Sequence, residues 1–413
     1  MAEATSAQIF KRYRKRFNYF GEYQIEETPD KDVKYRIVIP CFNEPNLTAT
    51  LKSLLQCEVP SVKIEVIVVL NQSSDANEAI TSQNLKTLEE FSVWNKRDHS
   101  AIEFFIIKAL DLPPKKAGVG LARKIGMDES LRRFGEQDKI GHIICLDADC
   151  LVSPNYLKSI EKYLTLDVRG GHFYFEHEFL NIENQQLREG IVNYELHLRY
   201  YAQALKYAGF SKWHHTVGSC MIVRSDIYAK QGGMNQRKAG EDFYFMHKIL
   251  GVDCINVPEA IVYPSARISD RVPFGTGKAQ GEWLTNKNTT RLTYAFESFV
   301  LMKNFFDEFY QWSRTKPKLP KEIEEFLEHQ KFMDSVAGLR KNSSSFKSFY
   351  QNLYQYIDGF FVLKMVHFLR DQFFPEKPLE TQARLLLNKL NIESEGMNTV
   401  DLLMAYRKLD RDD

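Results

Sequence analysis

From Tyr35 onward, short apolar runs alternate with stretches whose apolar residues recur at helical spacing. Tyr35–Ile39, Ile64–Leu70, Glu103–Ile107 and His142–Leu146 are each too short to be a lone helix and read as buried strands. Between the first two, Leu47, Leu51, Leu54 and Leu55 fall on one face of a helix within Asn46–Gln56. Asn77–Val93 and Ala117–Phe134 supply the next two helical connections. Strand alternating with helix predicts right-handed crossovers and an α/β fold, a mostly parallel sheet flanked by helices. After Asp149 the rhythm changes. Strands are expected at His172–His177 and Ser219–Arg224, and helices over Glu183–Tyr207 and Glu241–Leu250. Thr315–Lys321 reads as a linker, and beyond it the chain looks helical, with a polar break at Lys341–Ser345. The expected organisation is a basic-aromatic segment (1–34), an α/β domain (35–310) and a helical C-terminal region (311–413).

Charge and cysteine content narrow the class. The 55 basic and 54 acidic residues nearly cancel, which argues against nucleic acid as a partner. The six cysteines form no CxxC pair and sit mostly within apolar runs, as suits buried free thiols in a reducing compartment. No apolar run reaches the roughly 18–20 residues a membrane span needs, and the N-terminus lacks a secretory core, so cytoplasmic residence is expected. Two aromatic-basic stretches, Phe10–Phe20 and Tyr354–Phe374, qualify this. Either could lie against the inner, anionic face of a membrane; the plainer alternative is core helices with solvated basic faces.

Candidate chemistry gathers where strands end. Asp147 and Asp149 follow the fourth strand, and in extended backbone they point to the same side. Ligands of open parallel sheets collect outside these carboxyl ends. Paired carboxylates there suit Mg2+ or Mn2+, which could hold a diphosphate and neutralise a departing nucleoside diphosphate. The alternative is a loop in which both aspartates merely cap a turn. Pro40, Asn43 and Glu44 follow the first strand, and Asn71 and Asp75 follow the second, where a base edge or ribose could lie. Both groups are also ordinary turn and cap formers. In Lys115–Arg123, small residues let backbone approach a ligand, and Lys116 or Arg123 could counter phosphate charge. Gly232–Gly240 leads to Glu241 and Asp242 at a helix start. Asp242 is the candidate base for an acceptor hydroxyl and Glu241 its positioning neighbour, with helix capping as the alternative.

In this order, Pro40-Cys41-Phe42-Asn43-Glu44, Asp147-Ala148-Asp149 and Gly240-Glu241-Asp242 resemble the motifs of family 2 glycosyltransferases of the GT-A fold, over roughly Tyr35 to Lys278. The resemblance implies a nucleotide-sugar donor, a carbohydrate or lipid-linked acceptor, and inversion at the anomeric centre. It implies Asp149 as a metal ligand, Asp147 near the ribose or metal, and Asp242 as base. Asn71-Gln72-Ser73-Ser74 departs from the Asp-Asp-Gly-Ser-like turn of many relatives, which weakens any inference about the base. Ser269–Lys278 occupies the region where relatives close a loop over the donor, and there Arg271 and Lys278 could bind diphosphate. Trp213, Phe243 and Tyr244 are candidates to stack on sugars, or core residues. Two other readings stay open, a nucleotidyltransferase and a non-catalytic nucleotide-binding or scaffold protein.

Overall fold

The computed structural model describes residues 4–17, 21–95, 101–250, 254–269, 271, 275–285, 290–308 and 318–412. Residues 18–20 of the first aromatic-basic stretch, 270 and 272–274 of the glycine loop, and 315–317 of the expected linker lie outside this set. By compactness the chain forms two units, Met1–Asn181 with Thr216–Gly281, and Ile182–His215 with Glu282–Asp412.

In the first unit, α1 (Ser6–Arg16) precedes β1 (Tyr35–Cys41), α2 (Leu47–Leu55), β2 (Ile64–Ser73), α3 (Glu78–Trp94), β3 (Ile102–Leu112), α4 (Val119–Gln137) and β4 (His142–Cys145). There follow β5 (Leu151–Val152), α5 (Tyr156–Tyr163) and β6 (Gly170–Phe175); after the excursion into the second unit come β7 (Met221–Arg224), α7 (Ser225–Lys230), α8 (Glu241–Ile249) and β8 (Cys254–Tyr263). All eight strands form one sheet in the order β3-β2-β1-β4-β7-β6-β8-β5. The four strands expected from the apolar runs pair in parallel, while β7 joins β4 and β6 antiparallel. The α/β architecture anticipated from the sequence is therefore present. β8 had no sequence signature because Pro258 interrupts it, and its pairing with β6 jumps from Val257 to Ile261 across a bulge.

β1 and β2 are buried along nearly their whole length, which explains why they read as unbroken apolar runs. The charged residues near their amino ends are paired. Glu65 accepts from Arg36 on the adjacent strand at 2.5 Å and from Arg133 of α4 at 2.7 and 2.9 Å, and all three side chains are fully buried. This triad sits at the amino ends of the strands, away from the site described below. The N-terminal helix is tied to the same layer. Tyr13 donates to Asp128 of α4 at 2.7 Å and accepts from Lys124 at 2.8 Å. Ile9, Phe10 and Phe17 pack on the core cluster beneath.

The second unit is helical. It contains α6 (Gln185–Tyr207), a short ladder of β9 (Leu292–Thr293) with β10 (Lys377–Pro378), and helices between Phe296 and Arg411. Residues 282–310, which the sequence groups with the α/β domain, belong to this unit. Phe296, Phe299, Met302 and Phe305 are buried on a helix that contacts α6 and other helices of this unit. Within Tyr354–Phe374, Phe361, Val362, Met365, Val366 and Leu369 are buried, so that stretch includes a core helix. Arg199 and Glu195 of α6 join Arg407, Asp410 and His215 in a buried ionic network, with His215 2.8 Å from Asp410. Among the described residues no helix is long and apolar enough to cross a membrane.

Candidate active site

Three turns at the carboxyl edge of the sheet carry the site. The first follows β1. Asn43 adopts a left-handed conformation (φ 48°), and its N–H donates to Asn84 at 2.9 Å. This turns Glu44 inward, where it is 1% exposed. The second follows β4, where the Asp147-Ala148-Asp149 turn is closed by the Cys150 N–H donating to the Asp147 carbonyl and by Thr50 donating to the Ala148 carbonyl. The third is the start of α8, entered through Gly240 with φ 69°.

Two arginine clusters join these turns. Arg123, buried in α4, donates to Glu241 through one terminal nitrogen and to Asp147 at 2.5 Å through the other. A Cβ on Gly218 would overlap that guanidinium, and a Cβ on Gly120 would overlap the Arg237 carbonyl. The glycines at the start of α4 thus admit protein backbone, the loop that leads to Glu241. Arg267 and Arg271 form the second cluster. Arg267 donates twice to Glu44 and at 2.9 Å to Asp149. Arg271 donates at 3.0 Å to Glu44 and to the Phe42 carbonyl, and lies 3.5 Å from Asp149.

The electrostatics follow from burial and count. Glu44, Asp147, Asp149, Glu241 and Asp242 oppose Arg123, Arg267 and Arg271, so five ionised carboxylates would exceed three guanidiniums by two charges. Burial pushes Glu241 up to about 7 against the pull of Arg123, and burial likewise raises Asp242. Asp149 is raised by burial and by Asp147, with the two arginines opposing. Burial would raise Glu44 as well, but Arg267, the Asn46 N–H and Arg271 outweigh it and hold the group low.

Asp147 and Asp149 are 34% and 30% exposed, and among the described residues each keeps one oxygen without a hydrogen-bond partner, Oδ2 of Asp147 and Oδ1 of Asp149. Among the described residues no three His, Cys, Asp or Glu side chains converge as a metal cage. Two carboxylates with open oxygens and a deficit of positive charge fit Mg2+ or Mn2+, since such ions commonly complete their shell with phosphate and water.

The remaining candidates are placed differently. The Asn71 side chain is buried and donates to the Cys41 carbonyl at 2.8 Å, holding two strand exits together. Pro40 is buried within β1, Asp75 is exposed and accepts from Ser73, and Lys116 is exposed beside the start of α4. Lys278 lies half-buried in the helix Thr276–Thr285. Phe243 packs edge-on to His247 with centroids 4.5 Å apart, and Arg237 covers Tyr244 at 3.8 Å. In the second unit Trp213 stacks on His214. Arg267 was not foreseen; it lies in an aperiodic stretch, and its partner Glu44 is 223 residues away in the chain.

Residues 36–232 match the family described as glycosyl transferase family 2. No curated protein sequence matches the chain. Among solved structures, a 1–349 fragment of S. aureus TarS in complex with UDP-GlcNAc is 12% identical, with 68% of this chain and 76% of that one covered and a TM-score of 0.36. The mannosyltransferase PcManGT from Pyrobaculum calidifontis, in complex with GDP-Man and Mn2+, is also 12% identical, with 89% and 94% covered and a TM-score of 0.36. The matched residues 36–232 hold β2 through α7 and nearly all of β1, and with them Glu44, Arg123, Asp147 and Asp149, so the candidate site lies largely within the stretch that is similar to glycosyl transferase family 2.

Proposed function

We propose that the chain transfers a sugar from a nucleoside-diphosphate sugar to an acceptor hydroxyl by a metal-assisted displacement that inverts the anomeric centre. The observation carrying this reading is the buried Arg123 guanidinium, which joins Asp147 of the strand-end turn to Glu241 beside Asp242. Donor-side and acceptor-side carboxylates are thereby held on one rigid bridge. Mg2+ or Mn2+, held by Asp149 and Asp147 through their open oxygens, would add positive charge to the leaving nucleoside diphosphate.

The chain's own residues do the rest. Asp242 Oδ1 accepts the Phe243 N–H at 2.7 Å, which leaves Oδ2 to take the acceptor proton. Burial raises its proton affinity, which makes it a stronger base than an ordinary exposed aspartate. Arg267 and Arg271, with Lys278 and Lys116 farther out, supply guanidinium and ammonium donors to the diphosphate. Asn43 and Asp75 line the nucleoside end, and Asn71 acts by fixing the backbone after Pro40 and Cys41. The acceptor is a carbohydrate or a lipid-linked hydroxyl delivered over the Gly232–Gly240 loop. Melting of the protein with a panel of nucleoside diphosphates, each with and without Mn2+, tests the reading. One metal–nucleotide pair should raise the melting temperature; no shift with any pair would overturn it.

A further inference from the structure

The face of α1 turned away from the protein carries chemistry that glycosyl transfer does not use. At about 3.6 residues per turn, Ile9, Phe10, Tyr13 and Phe17 share the inward arc, and Lys11, Arg12, Arg14, Lys15 and Arg16 share the outward one. All five basic side chains are exposed, α1 contains no acidic residue, and among the described residues none of the five forms an ion pair. In a chain whose basic and acidic residues number 55 and 54, this is a local excess of five charges on one short helix. Arg14 and Arg16 lie over the rings of the half-buried Phe10 and Phe17, 6.0 and 5.8 Å from their centroids.

The helix is also fixed in place. A capping box at Thr5 and Gln8 starts it, and the Ala7 N–H donates to Asp138, the C-cap of α4. A Cβ on Gly135 would press on Phe10, and Tyr13 bonds Asp128 and Lys124. α1 therefore runs antiparallel to α4, and its basic last turn points toward the sheet's carboxyl edge. There Phe17 and Tyr13 lie against Gly232 and Gly233, where the loop to Glu241 and Asp242 begins.

We infer that the outward face of α1 is a docking surface for an anionic lipid bilayer, which brings a membrane-borne acceptor to the Gly232–Gly240 loop. The choice of occupant rests on charge complementarity. Four to eight exposed Lys and Arg on one helix match an anionic leaflet, whereas the helix's apolar side is already committed to the protein core, so attachment is electrostatic and peripheral. The acceptor's location in the membrane rests on the glycosyl-transfer reading; the docking itself does not.

The test is co-sedimentation of the whole chain with phosphatidylcholine vesicles with and without phosphatidylglycerol. Binding is expected only to the anionic vesicles and should fade as salt shortens the Debye length. Replacing Lys11, Arg12, Arg14, Lys15 and Arg16 together by Gln should lower vesicle partitioning more than about 100-fold, with an unchanged melting temperature. Replacing Arg12, Arg14 and Arg16 by Lys should preserve it. Equal binding to neutral vesicles, undiminished binding by the glutamine variant, or binding of soluble polyphosphate without binding of vesicles would overturn the inference. The metal-dependent melting shift with a nucleoside diphosphate should survive in the glutamine variant, so failure of docking and failure of the transferase reading register separately.

Discussion

Replacing Arg123 with Met removes the cation that three carboxylates share while nearly conserving the volume of the side chain. Arg123 is 4% exposed and Glu241 2% exposed, so their contact is a buried ion pair; Asp147 is a third exposed and its share is weaker through solvent screening. Leaving a buried charge without its partner costs about 3–5 kcal/mol. At about 2 °C per kcal/mol for a unit of this size, the melting temperature should fall by roughly 6–10 °C at neutral pH. The pH dependence gives the sharper test. Glu241 is already raised to about 7 because burial outweighs Arg123, and Asp242 is raised for the same reason. Without Arg123 both rise further above their unfolded values. A raised carboxyl contributes stability below its unfolded pKa and loses it as pH climbs through the folded one. The deficit of Arg123→Met against wild type should therefore be small near pH 5 and grow steadily toward pH 8. Paired melting curves across that window measure it. An equal deficit at both ends would refute the claim that this guanidinium lowers the proton affinity of Glu241 and Asp242 against the effect of burial.

Other outcomes follow from the same geometry. Asp149→Asn should abolish the manganese dependence of nucleoside diphosphate binding while leaving the fold intact, as read by calorimetric titration with and without metal. Glu65→Ala strands Arg36 and Arg133 in the core and should destabilise the protein by about 3–5 kcal/mol; denaturant unfolding checks this, and less than about 1 kcal/mol would contradict it. Because the base must be deprotonated and burial raises Asp242, kcat/KM should fall as pH drops, with the limb lying above the ordinary carboxylate range.

Legibility in the sequence tracked how local each cause is. β1, β2 and β4 were readable because burial on both faces writes itself into unbroken apolar runs, β3 because its half-buried stretch keeps the apolar run Phe104–Ile107, and α6 because 23 residues keep one period. β5 is two residues long, and β8 is broken by Pro258 and a bulge, so neither leaves a pattern to find. The carboxylates of the site were readable because they stand where strands end or a helix begins. Of their cations, Arg123 and Arg271 stood out only as phosphate ligands, not as partners of these carboxylates, and Arg267 not at all. Arg123 looked like a phosphate ligand from its helix start, yet its partners Asp147 and Glu241 lie 24 and 118 residues away. Arg267 sits in Ser265–Ser269, which has no periodicity at all, and its meaning comes only from the fold that brings Glu44 and Asp149 to it. The glycines at 118 and 120 were legible as sites of close approach, but what approaches is the loop around Arg237 and Lys238. The N-terminal helix was legible as amphipathic, whereas its anchor, the Lys124–Asp128 pair buried in α4, was not.

The most direct test of the central claim is the release of nucleoside diphosphate from a panel of nucleotide-sugars, with wild type and Asp242→Asn compared at saturating Mn2+. Wild type should turn over one donor, and Asp242→Asn should still bind that donor but be slowed by about 100-fold or more, the scale of general-base catalysis. Turnover by Asp242→Asn at the wild-type rate would remove the base assignment, and no turnover of any donor by wild type would contradict the transferase itself.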